Sequence, residues 1–515
     1  MLLLLNNLMK FNLKKIVLKK HPLFGDSFEV SFTDENDFKD KVVSEAPYTS
    51  LVIGPNGTGK SYLLREIAEI FIHLKDIKVK DELLNYQRLF EITFTLNSAE
   101  FTVNNFVIDK EKIKRNKTTL LQDSQEISIE KLLLPESIVV SSLLINDKFT
   151  VKNDYEDFYQ YLGVRSLKTP SMAGTKSYIK RILNLIYDNL GQNQTEIIYK
   201  IQSLLSFLNY DEAFRVNYKL KYKDYFFYQP LTIERFDFLF QNFNVPNKGF
   251  STRKDSEFIP FGVRYYKSKV EKNTKLKSDI VEFINYIREI QSNNLSIDIF
   301  TAKIPLNYYA LLGDLNSLDL ISFPQLSLER RAQSVDINEI SSGEYHILMS
   351  FIGIYASINH NSLILIDEPE ISLHPNWQMR YISYLKEIFK EYQSCHFIIT
   401  SHSHFFASDL DGRHSSIIGL KRDILDKIEK VDLPKDLNTY GWSAEDILYK
   451  IFSVRTTRNY YMEVDIRKLL HSISEKEKNK SELKEIINRL NLVKLNDQDP
   501  LNLILTKAKD YIDQI

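Results

Sequence analysis

The sequence predicts an α/β fold with a helical insertion lobe and a helical C-terminal tail. Three observations support this prediction. A short apolar run leads through a glycine-rich turn into an amphipathic helix within 50–71. A second apolar run, within 361–375, ends in two acidic residues, and a third, within 395–407, is followed by a histidine. Short apolar strands that alternate with helices are typical of a parallel sheet covered by helices.

The composition limits what the chain can do. Its 515 residues are enough for two or three domains. It has 67 lysines and arginines against 68 acidic residues, so a nucleic-acid contact requires a local basic patch. The single cysteine, Cys395, excludes an internal disulfide and a cysteine-built zinc site, which fits a reducing cytoplasm. We expect neither a signal peptide nor a membrane span.

The glycine-rich turn has the pattern of a phosphate-binding loop, or P-loop. The segment SLVIGPNGTGKSYLLREIAEIF, 50–71, matches G-x-x-x-x-G-K-[ST] between a strand and a helix. Glycines let the backbone wrap a polyphosphate, Lys60 reaches the outer phosphates, and the Ser61 hydroxyl is a ligand for Mg²⁺. The sequence therefore predicts binding of a nucleoside triphosphate. The residues predicted to contact it are Gly54, Asn56, Gly57, Thr58, Gly59, Lys60, Ser61 and Tyr62.

Two acidic residues end the second apolar strand. In NSLILIDEPEISLHP, 361–375, the strand 363–366 is followed by Asp367 and Glu368. We predict that Asp367 holds Mg²⁺ through water and that Glu368 orients the attacking water as general base. The alternative is an acidic turn after a core strand.

A histidine follows the third strand. His402 lies just past the apolar run of CHFIITSHSHFFA, 395–407. Ligands bind at the carboxyl edge of parallel sheets, so we predict that His402 contacts a γ-phosphate. The alternative is a structural histidine.

The segment NEISSGEYHILMSF, 338–351, predicts a helix that begins at two serines. Ser341 or Ser342 can cap this helix, with Glu344 in its first turn. The backbone N–H groups at such a helix start also bind anionic oxygens. The segment alone leaves capping and phosphate binding open.

The order and spacing of these motifs resemble the ABC-type ATPase domain, and within it the RecF- and SMC-like ATPases of bacterial defence operons. The resemblance covers roughly 10–165 and 320–455. It implies ATP and Mg²⁺ as cofactors, and a homodimer or higher even-numbered oligomer in which the signature segment of one protomer meets the γ-phosphate held by another. It assigns the signature to Ser341, Ser342, Gly343 and Glu344, the D-loop to Ser372, Leu373 and His374, and the switch histidine to His402.

The Q-loop departs from the family pattern. The strand that precedes the Q-loop in this family resembles the segment LPESIVVSSLLINDKF, 134–149, but no glutamine follows that segment. Ser142 and Asp147 remain as candidates.

The predicted domains are the two halves of the ATPase domain, 1–165 and 321–440, a mostly helical lobe at 166–320, and a helical tail at 441–515. Within the lobe, apolar spacing predicts a helix at 279–291. RVNYKLKYKDYFFY, 215–228, alternates apolar and basic residues. It is either an ordinary strand with a solvated lysine face or a nucleic-acid contact.

The tail decides between three functions. A Toprim nuclease, as in the overcoming-lysogenization family, needs a catalytic carboxylate pattern that we do not find. The stretch GWSAEDILYKIFSVRTTR, 441–458, resembles ATPase subunits of Septu-type and retron-linked anti-phage systems, whose nuclease is a separate polypeptide. We therefore expect an ATPase that controls a separate effector, and keep a RecF-like DNA-repair ATPase as the alternative and a self-sufficient nuclease as a third. We expect the tail to hold too little apolar surface for an independent domain, and therefore to pack on the ATPase core and offer a surface to another protein. A partner or a second protomer is expected to cover its apolar stripe around Ile447, Leu448, Ile451 and Phe452.

Overall fold

A computed structural model describes residues 10–33, 46–83, 86–109, 112–151, 157–165, 174–242, 261–290, 294–301, 304–410, 414–423, 426–431, 447, 459–475, 480–493 and 499–514. In chain order its strands are β1 Phe11–His21, β2 Gly25–Ser31, β3 Tyr48–Ile53, β4 Leu89–Leu96, β5 Ala99–Asp109, β6 Lys112–Gln122, β7 Gln125–Glu126, β8 Ile138–Ser142, β9 Tyr159–Gly163, β10 Phe214–Lys219, β11 Asn294–Asp298, β12 Gln325–Arg330, β13 Gln333–Asp336, β14 Leu363–Asp367, β15 His396–Ser401, β16 Ser415–Arg422 and β17 Ile428–Val431.

The helices, in chain order, are α1 Lys60–Lys80, α2 Thr175–Phe207, α3 Lys223–Phe226, α4 Ile233–Asn242, α5 Phe261–Tyr265, α6 Thr274–Ile290, α7 Leu306–Ser317, α8 Ser342–Tyr355, α9 Pro375–Gln378, α10 Tyr381–Ile388, α11 Tyr460–Ser474, α12 Lys480–Asn491 and α13 Pro500–Gln514. A turn of π-helix, Tyr266–Val270, continues α5.

A seven-stranded sheet carries the motifs, in the order β17-β16-β3-β15-β14-β8-β9. All of its strands are parallel except β17. The residues of β3, β14 and β15 are buried throughout, because their near-continuous apolar runs are covered on both faces. In the register, Ser401 is opposite Ile53 and Asp367 is opposite Thr400. The P-loop, the acidic pair and His402 therefore leave the sheet at one edge, from neighbouring strands.

A six-stranded antiparallel sheet, in the order β2-β1-β4-β5-β6-β7, shares a core with α1. Phe11 and Phe94 from this sheet belong to the same buried cluster as Leu63 and Ile67 of α1 and Leu365 of β14. The amphipathic helix predicted after the P-loop thus has apolar partners from two sheets. This packing fixes the start of α1 relative to the carboxyl edge of the central sheet.

The insertion lobe contains helices α2 to α7 and a four-stranded antiparallel sheet, β11-β10-β12-β13, that includes strands from outside the predicted lobe boundary. The predicted helix at 279–291 is present as α6. In β10, Val216 and Tyr218 are buried, while Arg215 pairs with Glu329 of β12 and Asn217 donates to Ser327. The segment 214–219 is therefore a strand with one buried face, and on its other face Arg215 and Asn217 have partners while Lys219 is exposed.

The chain divides into two compact units, Met1–Trp442 and Ser443–Ile515. In the second unit, α11, α12 and α13 contribute to a buried apolar cluster of their own: Leu469, Leu483, Ile486, Ile487, Leu490, Leu501, Leu505, Ala508 and Ile512. The expectation that the tail lacks the apolar residues for a core is therefore wrong, because these leucines and isoleucines face one another across three helices. Of the apolar stripe predicted around Ile447, only Ile447 itself lies within the described residues. Among the described helices, none has both the length and the apolar character needed to cross a bilayer.

Candidate active site

The P-loop joins β3 to α1 in a path that requires glycine at two positions. A Cβ atom on Gly54 would lie 2.2 Å from the carbonyl oxygen of Leu420. Gly59 has φ of +80°, and a Cβ atom there would lie 2.8 Å from Cδ1 of Ile428 and 2.9 Å from Cε1 of Phe24. The loop is therefore bare backbone held against β16 and β17, which is the form a phosphate cradle takes.

Lys60 is folded into this loop. Its Nζ donates to the carbonyl oxygens of Gly54, at 2.8 Å, and Pro55, at 3.0 Å, and lies 3.0 Å from Nδ1 of His402. The side chain is buried, and desolvation lowers the pKa of Lys60 to about 8 although three nearby carboxylates oppose this change. The ammonium group thus lies at the centre of the loop, within reach of an incoming anion.

Asp367, at the end of β14, faces the first turn of α1. Its Oδ1 accepts hydrogen bonds from Ser61 Oγ, at 2.8 Å, and Thr400 Oγ1, at 2.6 Å. Its Oδ2 is buried, and none of the described residues forms a hydrogen bond with it. Burial raises the pKa of Asp367 to about 6, although the two hydroxyl donors favour the charged form. An orphan carboxylate oxygen beside a serine hydroxyl suits a hard divalent cation such as Mg²⁺, which takes oxygen ligands.

Glu368 and His402 are in direct contact. The Nε2 of His402 lies 2.7 Å from Oε1 of Glu368. Because the ammonium of Lys60 can only donate, Nδ1 of His402 accepts and Nε2 carries the proton donated to Glu368. This hydrogen bond lowers the pKa of Glu368. Glu368 has φ of +49°, a strained value for a residue with a side chain. The three side chains form a continuous hydrogen-bonded row from the P-loop to the acidic pair.

The signature segment begins α8. Ser341 is the N-cap, and its Oγ accepts from the backbone N–H of Glu344 at 3.2 Å. Glu344 accepts from Ser341 Oγ and from Nη2 of Arg330, at 2.7 Å. Ser341 and Ser342 are exposed, while Gly343 is buried. Capping is thus the local role of Ser341, and the exposed helix start remains open to an anion.

The D-loop lies against this helix start within one chain. A Cβ atom on Gly343 would lie 3.2 Å from the carbonyl oxygen of Ser372. The Nδ1 atom of His346 lies 2.9 Å from the carbonyl oxygen of Ile371. Ser372 has φ of +66°. Leu373 is buried, and His374 caps α9 by accepting from the backbone of Asn376. The predicted signature and D-loop residues are therefore neighbours.

The other predicted nucleotide contacts differ in their surroundings. Thr58 Oγ1 donates to the carbonyl oxygen of Pro55 at 2.9 Å, so this hydroxyl stabilises the loop itself. Asn56 and Gly57 are exposed, and Tyr62 packs against the core cluster with Lys148 5.9 Å from its ring centre.

The two Q-loop candidates also differ. Asp147 pairs with Nη2 of Arg165 at 2.6 Å and accepts from the backbone of Phe149, so its oxygens have structural partners. Ser142 ends β8 opposite Asp367, and its buried Oγ has no partner. Ser142 is therefore the register neighbour of Asp367, while Asp147 is also close enough for its charge to raise the pKa of Asp367.

Three site residues were not predicted from the sequence. Thr400 donates to Asp367, Arg422 of β16 donates through Nε to the carbonyl oxygen of Gly57 at 2.9 Å, and Glu370 accepts the backbone N–H of His402. The only sequence signal among the three was the second glutamate of DEPE, Glu370. Thr400 and Arg422 lie at the site because β15 and β16 are the neighbours of β3 in the sheet. The local sequence around each residue does not show which strands will be neighbours.

Comparison with known proteins gives the family. A family model described as AAA ATPase domain matches residues 12–407, which include every site residue named above except Arg422. The chain belongs to the AAA ATPase domain family. It is an ATPase, and the phosphate-binding loop and acidic pair lie in the matched part.

A curated relative of the ATPase is the "retron Ec83 probable ATPase" of Escherichia coli, 27% identical over 157 residues. The match spans 28% of this chain and 28% of that protein, so the chain matches only about a quarter of the relative's length.

Solved SMC head domains are also similar to the ATPase. The head from Thermotoga maritima has a TM-score of 0.35 at 11% identity, over 82% of this chain and 99% of that one. An SMC head bound to the C-winged helix domain of ScpA has a TM-score of 0.36 at 11% identity, over 82% and 98%.

Proposed function

We propose that the row of hydrogen bonds from Lys60 through His402 to Glu368 is the catalytic centre of this ATPase. Lys60 binds the outer phosphates of ATP, Glu368 accepts a proton from the attacking water, and His402 holds Glu368 and contacts the γ-phosphate. Oε1 of Glu368 is bonded to His402, which leaves Oε2 as the atom assigned to the water. The lowered pKa of Glu368 keeps the carboxylate charged at neutral pH, as a base requires.

Ser61 and Asp367 are proposed to hold Mg²⁺. The orphan Oδ2 of Asp367 and the neighbouring Ser61 hydroxyl are the observations that support this assignment. When bound, Mg²⁺ supplies neutralisation of the charge on the β- and γ-phosphates.

Two variants test the role assignment. Lys60→Ala should abolish binding of a fluorescent ATP analogue, because the loop loses its cation. Glu368→Gln should still bind ATP but lose about 10²–10⁴-fold in turnover, measured by phosphate release, because only the base is removed. Glu429→Gln, on the exposed face of β17, is the control and should resemble the unaltered protein. Equal loss of ATP binding in the Lys60 and Glu368 variants would contradict these roles.

We further propose that the ATPase forms a homodimer, or a higher even-numbered oligomer, around ATP. The signature residues Ser341 and Ser342 are exposed at the start of α8, where unpaired N–H groups and the helix dipole favour an anion. A second protomer's bound nucleotide is the ligand assigned to this helix start, with Ser372, Leu373 and His374 at the contact between protomers.

The biological role proposed is control of a separate effector, most simply a nuclease, in anti-phage defence of the retron-linked or Septu type. The name of the retron relative supports this role, as does the division of the chain, in which the tail Ser443–Ile515 is a compact unit with its own apolar cluster. The purified chain with ATP and Mg²⁺ should therefore leave plasmid and linear DNA intact. Metal-dependent cleavage by the pure chain that survives Glu368→Gln would instead support a self-sufficient nuclease.

Direct DNA binding, as in a RecF-like repair ATPase, is the second candidate. One end of the six-stranded sheet favours it, where Lys112, Lys114, Arg115 and Lys117 of β6 are exposed and Lys20 of β1 donates to the carbonyl oxygen of Ile113. Asp109, paired with Lys114, is the acidic partner described there. Such a patch attracts phosphates although the whole chain has a net charge of −1.

The double variant Lys112→Ala, Lys117→Ala tests this second candidate. It should weaken binding of a labelled DNA duplex and reduce the salt dependence of that binding, because two phosphate contacts are lost. The matched control removes two exposed lysines of the insertion lobe, Lys267 and Lys269. An equal effect of both pairs would mean that only net charge matters and would remove the support for this surface.

A further inference from the structure

Glu370 is a buried acidic residue of the site that the proposed mechanism does not use. Its Oε1 accepts the backbone N–H of His402, and its carboxylate also interacts with the side chain of Ser401. Its Oε2 is buried, and no hydrogen-bond partner for this atom is found among the described residues. Its own carbonyl oxygen accepts from the backbone N–H of Leu373 at 2.9 Å. The residue therefore connects the D-loop segment, through its main chain, to the turn that carries His402, through its side chain.

Two carboxylates hold His402 from different sides. Glu368 accepts from the imidazole Nε2, and Glu370 accepts from the main chain of the same residue. The rest of the turn after β15 has its own hydrogen bonds, from the Ser403 N–H to Ser401 Oγ at 2.9 Å and from Ser403 Oγ to Gln378 Oε1 at 2.6 Å. The contact with Glu370 is the one that holds the main-chain N–H of His402 itself. Burial raises the pKa of Glu370 and the charge of Glu368 adds to this effect, although hydrogen bonds from the main chain of His402 and Glu370 and from the Ser401 side chain oppose it. The charged carboxylate therefore carries a net free-energy cost at this position. A costly buried group with an unsatisfied oxygen suggests a role other than stability.

We propose that Glu370 is a positioning residue of the ATPase: by accepting the main-chain N–H of His402, it keeps the imidazole between Lys60 and Glu368. The inference rests on the catalytic roles proposed above for these three side chains. Glu370 itself does not touch the nucleotide in this proposal and acts only through His402.

Glu370→Leu and Glu370→Gln separate geometry from charge. Leucine has a similar size but no acceptor, so kcat should fall about 10- to 100-fold while the KM for ATP stays within about threefold. Glutamine retains an acceptor oxygen and should recover most of the lost kcat. The ¹⁵N signals of the His402 imidazole, identified by their loss in His402→Gln, should shift in the leucine variant and not in the glutamine variant.

A matched control is available on α1. Glu66 is a fully buried carboxylate that pairs with Arg88 and with Nε2 of His21, at 3.5 Å, and is not part of the proposed mechanism. Glu66→Leu should lower the melting temperature but leave kcat per folded molecule within about threefold, because it breaks only structural contacts. A loss of kcat in Glu66→Leu equal to that in Glu370→Leu would assign both carboxylates a purely structural role and overturn the proposal.

A double-mutant cycle gives the decisive test. If Glu370 acts through His402, then Glu370→Leu should cause no further loss of kcat in a His402→Ala background. An additive loss would overturn the proposal. The proposed catalytic roles are tested separately by Glu368→Gln. If those roles are wrong, Glu368→Gln should hydrolyse ATP like the unaltered protein, whatever the double-mutant cycle shows for Glu370.

Discussion

At the residue scale, several groups of the site carry a free-energy cost in the chain without a ligand. Asp367 has a buried oxygen with no partner, Glu368 has a strained backbone, and the Lys60 ammonium is desolvated. Natural proteins keep such groups where function requires them and compensate elsewhere in the fold. Asp147 is the opposite case, because its oxygens are bonded to Arg165 and to the backbone.

Asp367→Asn should stabilise the nucleotide-free chain at pH 7 while abolishing ATP turnover. The raised pKa of Asp367, about 6 in the folded chain against 3.8 in the unfolded one, means that the folded state binds a proton more tightly. Stability from this group is therefore present below about pH 4 and lost as the pH rises through 6. Removing the charge should recover at most about 3 kcal/mol at pH 7, about half of that at pH 5 and almost nothing at pH 3, measured by urea unfolding.

Asp147→Asn is the control for this prediction and should have the opposite sign. It removes the charge partner of Arg165 and should lower the free energy of unfolding by on the order of 2 kcal/mol. Destabilisation by both variants would mean that Asp367 has partners that its geometry does not reveal.

At the scale of elements, the start of α8 has two separable roles. Ser341 caps the helix through its side chain, whereas Ser342 is the first helical residue and is exposed. The capping hydrogen bond stabilises the helix by satisfying the N–H of Glu344. Ser342, which is exposed, is the residue for which we proposed contact with a second protomer's nucleotide.

Ser341→Ala should therefore cost about 1 kcal/mol of stability, with faster hydrogen exchange at the amide of Glu344. Ser342→Ala should change the stability by less than about 0.5 kcal/mol, because an exposed hydroxyl at this position makes no cap. A reversed ranking of the two variants in urea unfolding would show that Ser342 is the cap in solution.

At the scale of the whole molecule, the chain divides into two compact units. All of the proposed catalytic residues lie in the unit Met1–Trp442, and the unit Ser443–Ile515 has its own apolar cluster. If the second unit binds the proposed effector, its removal should leave the ATPase chemistry in place.

A chain that ends at Trp442 should keep most of the ATPase activity, because no proposed catalytic residue is lost. It should lose binding to the effector and protection against phage, measured by co-purification and by plaque counts. Loss of ATP binding together with the tail would show that the tail completes the nucleotide site.

Mixing two inactive chains tests the composite site. Ser342→Arg should block the signature helix, and Lys60→Ala should block the P-loop, so neither chain should hydrolyse ATP alone. If the signature acts on a second protomer, half of the dimers in an equal mixture carry one intact site, and about a quarter of full activity should return. A mixture with no activity would place both residues in one site of a single chain.

Part of the site was predictable because its motifs are local. The P-loop is a contiguous strand, turn and helix, and the prediction of adjacent roles for Asp367, Glu368 and His402 needs only a parallel sheet with the motifs at its carboxyl edge. The cap at Ser341 and the helix α6 follow from short-range patterns in the same way. Arg422 and Thr400 were not predictable, because each reaches the site from a strand whose neighbours are set by packing.

The sequence by itself determined the P-loop, the order of the motifs, the helix start at Ser341 and the α/β class, since each depends on residues close together in the chain. Only the tertiary structure decided that Glu370 holds His402, that Asp367 keeps an oxygen without a partner, and that the tail has a core. The physical reason is distance along the chain. Hydrogen bonding and burial between remote segments depend on strand order and helix packing, which the whole core determines together.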